Sequence, residues 1–321
     1  MFKGKSLSLL PSAWIGGRQL KNKALRVGFY RVTVNHDPPR RFEEILRRFT
    51  DQIPDDEHRA WEAKDEPVRL QQLTPHANYW LGDIMRIRVH DQINRGRRDG
   101  RVRPIDFEMG EGPCENTAFL FHPGTRTLAV HEQRGAVPLS ALRQYFKVFG
   151  EVNAIEMLPL IKLEAIQRAE RMHGVRILEV HLAGIEAGRH LGGRNQSAAA
   201  IFNLINHFAA PKALIKVEVP RPRGRHEEPR SLRNVVSAIH GLLPGGVEME
   251  EVKKIVVVGR DAQGDVEEAV IDLLDDRLTE NILVTLNENE RITDERRINA
   301  VVTAWNTHRD YIQTITAADR A

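Results

Sequence analysis

Two short stretches of this sequence concentrate a side chain that can grip phosphate. Residues 95–103 read RGRRDGRVR and residues 221–230 read RPRGRHEEPR, both rich in arginine and broken by glycine or proline. A guanidinium is always charged and offers a planar fork of N–H donors that matches phosphate oxygens. Arg95, Arg97, Arg98, Arg101 and Arg103 are therefore expected to hold one phosphate track, and Arg221, Arg223, Arg225 and Arg230 a second. Arg86 and Arg88 precede the first stretch on a predicted strand. Arg40, Arg41, Arg47 and Arg48 would extend the footprint from a short helix. The competing reading is a solvated arginine-rich surface. Clustering in Gly/Pro loops, rather than even spread over helix faces, favours a ligand.

Other chemistry is sparser. Gly184, Gly188, Gly192 and Gly193 precede a predicted helix at 197–208, with Arg189 and Arg194 among them. Backbone N–H groups at that helix start could cradle an anion, and an ordinary loop capped by Asn195 or Ser197 reads equally well. His122 and His131 flank a hairpin, and His181 and His190 flank the glycine-bearing loop. None of the four has a carboxylate or second histidine three or four residues on, as helical metal sites do. Asp106 with Glu108, and Lys216 with Glu218, come nearest to the acid–lysine cluster of a divalent-metal nuclease. Lys216 and Glu218 suit a plain charge pair on one face of a strand as well. The P-loop, zincin, nucleophile-elbow and dinucleotide-binding signatures are all missing. Cys114 is the sole cysteine, which excludes an intramolecular disulfide and a CxxC motif. No cofactor and no metal are expected.

The elements that must position these residues follow from periodicity. Residues 25–34 (LRVGFYRVTV) predict a strand. Pro38 and Pro39 end it, and Phe42, Ile45, Leu46 and Phe49 then recur at the spacing of one helical face. Residues 51–76, with Pro54, Pro67 and Pro75, predict a loop with some helix near Trp61. Residues 79–89 alternate as a strand, and 91–116 predict a long, mobile, basic loop. A hairpin turns at His122-Pro123-Gly124-Thr125, followed by an amphipathic helix at 138–149 closed by Gly150.

Further strands are expected at 155–161, 175–183, 214–219 and 282–286, with a hairpin over 253–273. Further helices are expected at 164–172, 197–208 and 232–239. Thr293 caps a long final helix with Asp294 and Glu295 in its first turn. Ile298, Val301, Val302, Trp305 and Ile312 share one face of it. The class is α+β: mixed or antiparallel sheets with hairpins, packed helices and a long C-terminal helix. The expected division is an N-terminal α+β domain, 1–135, carrying the basic loop 91–116, and a C-terminal α+β domain, 136–321.

With 41% hydrophobic and 28% charged residues in 321, the chain is globular, which excludes wholesale disorder. No apolar run approaches the ~18 residues of a membrane helix. Lys3 and Lys5 precede a five-residue apolar stretch that meets Pro11, shorter than the ~7 residues a secretory signal needs. Cytoplasmic location without membrane insertion is expected. The net charge of +3 conceals segregation. Residues 1–50 hold eleven Lys and Arg against three acids, while 261–295 hold twelve acids against Arg277 and Arg291. Such patches create fields that a near-neutral total hides. With aromatics at 6%, stacking on single strands is a poor fit, and contact with duplex phosphates fits better.

Three stretches together resemble the RexA-type phage-exclusion proteins and, more distantly, the Kiwa defence subunit KwaB. They are Asn78-Tyr79-Trp80-Leu81 before a basic strand, and the hairpin Phe119-Leu120-Phe121 to Leu128-Ala129-Val130 with its following helix. The third is 213–220 (ALIKVEVP), followed by Arg223 and a helix from Ser231. The resemblance implies a cytoplasmic homodimer that binds DNA without sequence preference and acts in phage exclusion, with no known chemistry of its own. The expectation is therefore a non-catalytic binder of double-stranded DNA. The alternatives are a metal-dependent nuclease using Asp106/Glu108 or Glu218/Lys216, and an interaction subunit whose acidic 261–295 segment docks a defence-complex or membrane-protein partner.

Overall fold

A computed structural model describes residues 14–15, 18–19, 21–53, 57–63, 66–89, 93–96, 99–108, 111–133, 136–171, 173–183, 212–218, 252–260, 268–272, 275–287 and 290–318. Strands β1 (Trp14–Ile15) and β2 (Arg18–Gln19) form a small ribbon, and the body follows from β3 (Lys21–Asn35). Helix α1 (Phe42–Asp51) leads to β4 (Ala60–Ala63), β5 (Glu66–Pro75) and β6 (Trp80–Ile87). A short hairpin of β7 (Asn94–Gly96) and β8 (Val102–Pro104) precedes β9 (Cys114–His122) and β10 (Thr127–Glu132). Then come α2 (Leu139–Gly150), β11 (Ala154–Pro159), α3 (Leu163–Arg171) and β12 (His173–Ala183). Strands β13 (Lys212–Glu218), β14 (Val252–Arg260), β15 (Glu268–Asp272) and β16 (Thr279–Leu286) precede the 25-residue helix α4 (Asp294–Ala318). The fold is α+β.

Eight strands make one curled antiparallel sheet in the order β11-β3-β10-β9-β6-β5-β4, with β16 also on β3. Strand β3 is its spine. One edge carries β10 over residues 26–31. The other carries β16 over residues 21–28 and β11 over residues 30–35. The two outer strands meet at Phe29, whose carbonyl accepts from Leu160 N–H (2.8 Å) and whose N–H donates to Leu278 (3.3 Å). The expected domain boundary at 135/136 falls just before α2; β11, β16 and α4, beyond it, join this sheet. Strands β13-β12-β14-β15 form a second, four-stranded antiparallel sheet.

Alternation along the strands gives the large sheet two apolar faces. One packs under α1 and α2: Phe42, Ile45, Leu46 and Phe49 are each at most 3% exposed and meet Phe121, Tyr145 and Phe146. Burying each is worth roughly 1.5–3 kcal/mol. Phe42 meets Phe121 and Phe146 edge-on at 4.8 and 5.0 Å. The other face takes α4, whose Val301, Ala304, Trp305, Ile312 and Ile315 lie on Val27, Phe29, Ala118, Leu120 and Ala129.

Three local expectations are corrected. Residues 60–63 and 66–75 are strands β4 and β5, not loop, and Val68 and Leu70 are fully buried. The 91–116 stretch holds the β7–β8 hairpin and the start of β9 instead of a continuous loop. Gly150 is the last residue of α2 rather than its cap: Glu151 takes the left-handed position (φ 51°) and donates its N–H back to Lys147. Glycine is needed at 150 for space, because a Cβ there would stand 2.7 Å from Ile45 Cδ1. The expected helices at 197–208 and 232–239 lie outside the described residues.

Candidate functional site

Three segments converge at one end of the large sheet: Val32 to Val34 of β3, the start of α1, and the β9–β10 turn. They enclose a cavity of about 650 Å³ lined by Arg40, Arg41 and Arg126. Pro39 and Phe42 form part of its apolar floor with Phe121. The turn is held by its own backbone: Arg126 N–H donates to Pro123 O (3.1 Å), and Arg126 O accepts from Val32 N–H (2.8 Å). That tie places Arg126 at φ 53°, a left-handed conformation uncommon for a residue with a side chain.

Charge in this cavity is poorly neutralised. Arg40 Nη1 donates to Gly150 O (2.9 Å), an acceptor with no formal charge. Arg41 and Arg126 are exposed, and neither forms an ion pair among the described residues. Glu43 also lines the cavity, but its carboxylate is taken by Arg47 at 2.7 Å. Arg41 is the N-cap of α1 and gives no side-chain cap, so the first N–H groups of the helix add partial positive charge here. The arrangement can hold an anion with several oxygens.

The remaining predicted arginines divide into four groups. Arg47 and Arg48 are committed to carboxylates, Arg48 to Glu151 at 2.6 Å, a pairing that pulls the Glu151 carboxyl below its usual range. Arg86 sits between Glu66 (3.1 Å) and Glu115 (3.2 Å), and Arg88 also reaches Glu115 (2.8 Å). Those two knit β5, β6 and β9 together. Arg95 and Arg103 are register partners in the β7–β8 hairpin; Arg103 is exposed, and Arg101 leans on Asp99 at 3.6 Å. Arg97, Arg98, Arg189, Arg194, Arg221, Arg223, Arg225 and Arg230 lie outside the described residues.

The other chemistry singled out in the sequence is modest. Lys216 pairs with Glu218 (3.2 Å) on its own strand and with Glu179 (3.7 Å) across it, as a charge pair on a sheet face would. Asp106 and Glu108 are exposed. Among the described residues, no three His, Cys, Asp or Glu side chains come together as a metal site. Among them too, no helix is long and apolar enough to cross a membrane.

A buried polar cluster went unseen in the sequence. Asp83 of β6 and His131 of β10 are 2% and 1% exposed, and both lie on the sheet face beneath the first turns of α4. Asp83 accepts from Asn116 Nδ2 (2.7 Å) and stands 3.8 Å from Arg297 Nη2. Its Oδ1 and both ring nitrogens of His131 have no hydrogen-bond partner among the described residues. Burial raises the Asp83 carboxyl against the opposing pull of Asn116 and Arg297. His131 is pushed down to about 4, first by burial and then by Arg297 and Lys23. This cluster tethers α4 to the sheet. Nothing in the local pattern of β6 or β10 announces it, since both strands read as ordinary alternation.

The fold and its cavity define an α+β protein whose spine strand carries an arginine-lined pocket at one end. The chain belongs to the DUF6731 family, a family of unknown function, which it matches over residues 20–312. That span takes in every residue lining the arginine pocket. No curated protein matches the chain.

Proposed function

We propose that the protein binds double-stranded DNA through its phosphate backbone, without sequence preference and without chemistry of its own. The observation that carries this reading is the cavity in which Arg40, Arg41 and Arg126 converge beside the uncapped start of α1. A phosphodiester oxygen pair fits forked guanidinium donors, and contacts of this kind carry no sequence information. The exposed Arg101 and Arg103 add a second basic point. The setting we infer is cytoplasmic phage exclusion by a homodimer, which would double the footprint and raise avidity.

A salt titration on a short duplex tests the reading. Affinity should fall with a log–log slope near −0.9 for each phosphate contacted. Replacing Arg41 and Arg126 together by Ala should flatten that slope by about one to two contacts and weaken binding alike on unrelated sequences. Affinity that ignores salt, or a double variant that binds as the parent does, would remove the proposal.

A further inference from the structure

The β9–β10 turn has a second cavity on its opposite flank, of about 380 Å³, between the β5–β6 turn and the middle of α4. Two stacked ring pairs line it. His76 lies against Tyr79 with centroids 4.7 Å apart at 24°, and His122 lies against Trp305 at 4.9 Å and 29°. Trp305 is 4% exposed and therefore fixed, whereas Tyr79 is half-buried and His76 exposed.

The proton on His122 can be placed. Its Nδ1 lies 3.1 Å from the backbone N–H of Thr125, which donates to it, so the ring proton sits on Nε2. Burial keeps this imidazole neutral by lowering its affinity for a second proton. Nε2–H has no protein acceptor among the described residues. Asn78, Asn306 and Gln313 bring three carboxamides to the same cavity, each offering donors and an acceptor. Arg309 supplies one cation there, paired among the described residues with Asp310 at 3.3 Å, an exposed carboxylate that also lines the cavity.

Flat ring surfaces, several donor–acceptor edges and a single exposed guanidinium match a flat heteroaromatic ligand with a mixed polar rim and one anionic group. We propose that this cavity binds a nucleotide, with its base against Tyr79, its polar edge read by the carboxamides and His122, and its phosphate on Arg309. The size agrees, since small-ligand pockets run from about 300 Å³ upward. The inference is independent of the duplex reading: it uses the other flank of the turn and none of the three pocket arginines. The same chemistry is offered by a free nucleotide and by one unpaired nucleotide of a strand.

Calorimetric titration with AMP, GMP, CMP and UMP, and separately with a five-nucleotide single strand, tests it on the full chain. Saturable binding of a mononucleotide assigns the site to free nucleotides; binding of the strand alone assigns it to unpaired nucleotides. In the binding arm, Tyr79→Ser, at the margin of the core under α4, and Gln313→Ala, at an exposed position, should each weaken affinity at least tenfold. Arg309→Ala should erase the preference for AMP over adenosine. Tyr79→Ser should leave duplex affinity and its salt slope unchanged, so failure here and failure of the duplex reading are separately visible. No saturable binding in any arm, or binding indifferent to both Tyr79→Ser and Gln313→Ala, overturns the proposal.

Discussion

Tyr145 joins three elements through one hydroxyl. It donates to Arg59 O at 2.7 Å and accepts from Leu70 N–H at 3.1 Å, while its ring stacks on Phe49 at 5.7 Å. Tyr145→Phe keeps the ring but orphans a buried carbonyl and a buried amide. Urea denaturation should show a loss of about 1–3 kcal/mol; an unchanged midpoint would mean water replaces both bonds. His131 acts through protons instead. The folded imidazole titrates at about 4, against about 6.5 when unfolded. As pH falls from 6.5 towards 4, only the unfolded chain gains the proton, so stability declines across that window and the contribution levels off below it. The loss amounts to about 3 kcal/mol in full. His131→Leu should flatten the pH dependence between 7 and 4.5 relative to the parent. An equally steep decline in the variant would place the burden on other groups.

At the level of elements, legibility depended on whether a segment kept one period. Helix α1 did, and Phe42, Ile45, Leu46 and Phe49 are its buried face as their spacing implied. Strand β5 did not. Its register slips between Leu70 and Gln72, and prolines stand near both ends, where a strand can spare an N–H. Those two features disguised it as loop. The candidate site was half legible for a related reason. Arg40 and Arg41 stood out by composition, whereas Arg126 is a lone arginine in a turn read only as far as Thr125. Arg86 and Arg88 were overvalued because Glu66 and Glu115, which neutralise them, come from neighbouring strands remote in sequence.

The turn offers a clean separation of stability from binding. Arg126 holds a left-handed backbone that costs a side-chain-bearing residue about 1 kcal/mol. Arg126→Gly relieves that strain and removes the guanidinium, so the melting temperature should not fall while DNA affinity does. A variant that melts earlier and binds normally would contradict both halves.

Across the whole molecule, the two sheet faces divide labour. One is filled by aromatic packing under α1 and α2, and the other is covered mainly, among the described residues, by helix α4, late in the chain. The near-neutral total of +3 hides an arrangement in which α1 and β6 spend arginines on structural pairs, and a few at one end of β3 have no ion pair among the described residues. Charge counted by segment singled out arginines; only three-dimensional pairing separates those held by carboxylates from those with no ion pair among the described residues.

The spine strand has a consequence for how the chain comes to be folded. Among the described strands, residues 21–25 find their strand partner, and residues 26–28 their second one, only in β16, about 250 residues later. Until that partner is synthesised, half of one edge of β3 presents open N–H and C=O groups beside an uncovered apolar face. Contacts this distant close slowly, and exposed strand edges invite association with other chains. A nascent chain halted near residue 270 should therefore bind chaperone or precipitate, and one that has completed β16 and α4 should do neither.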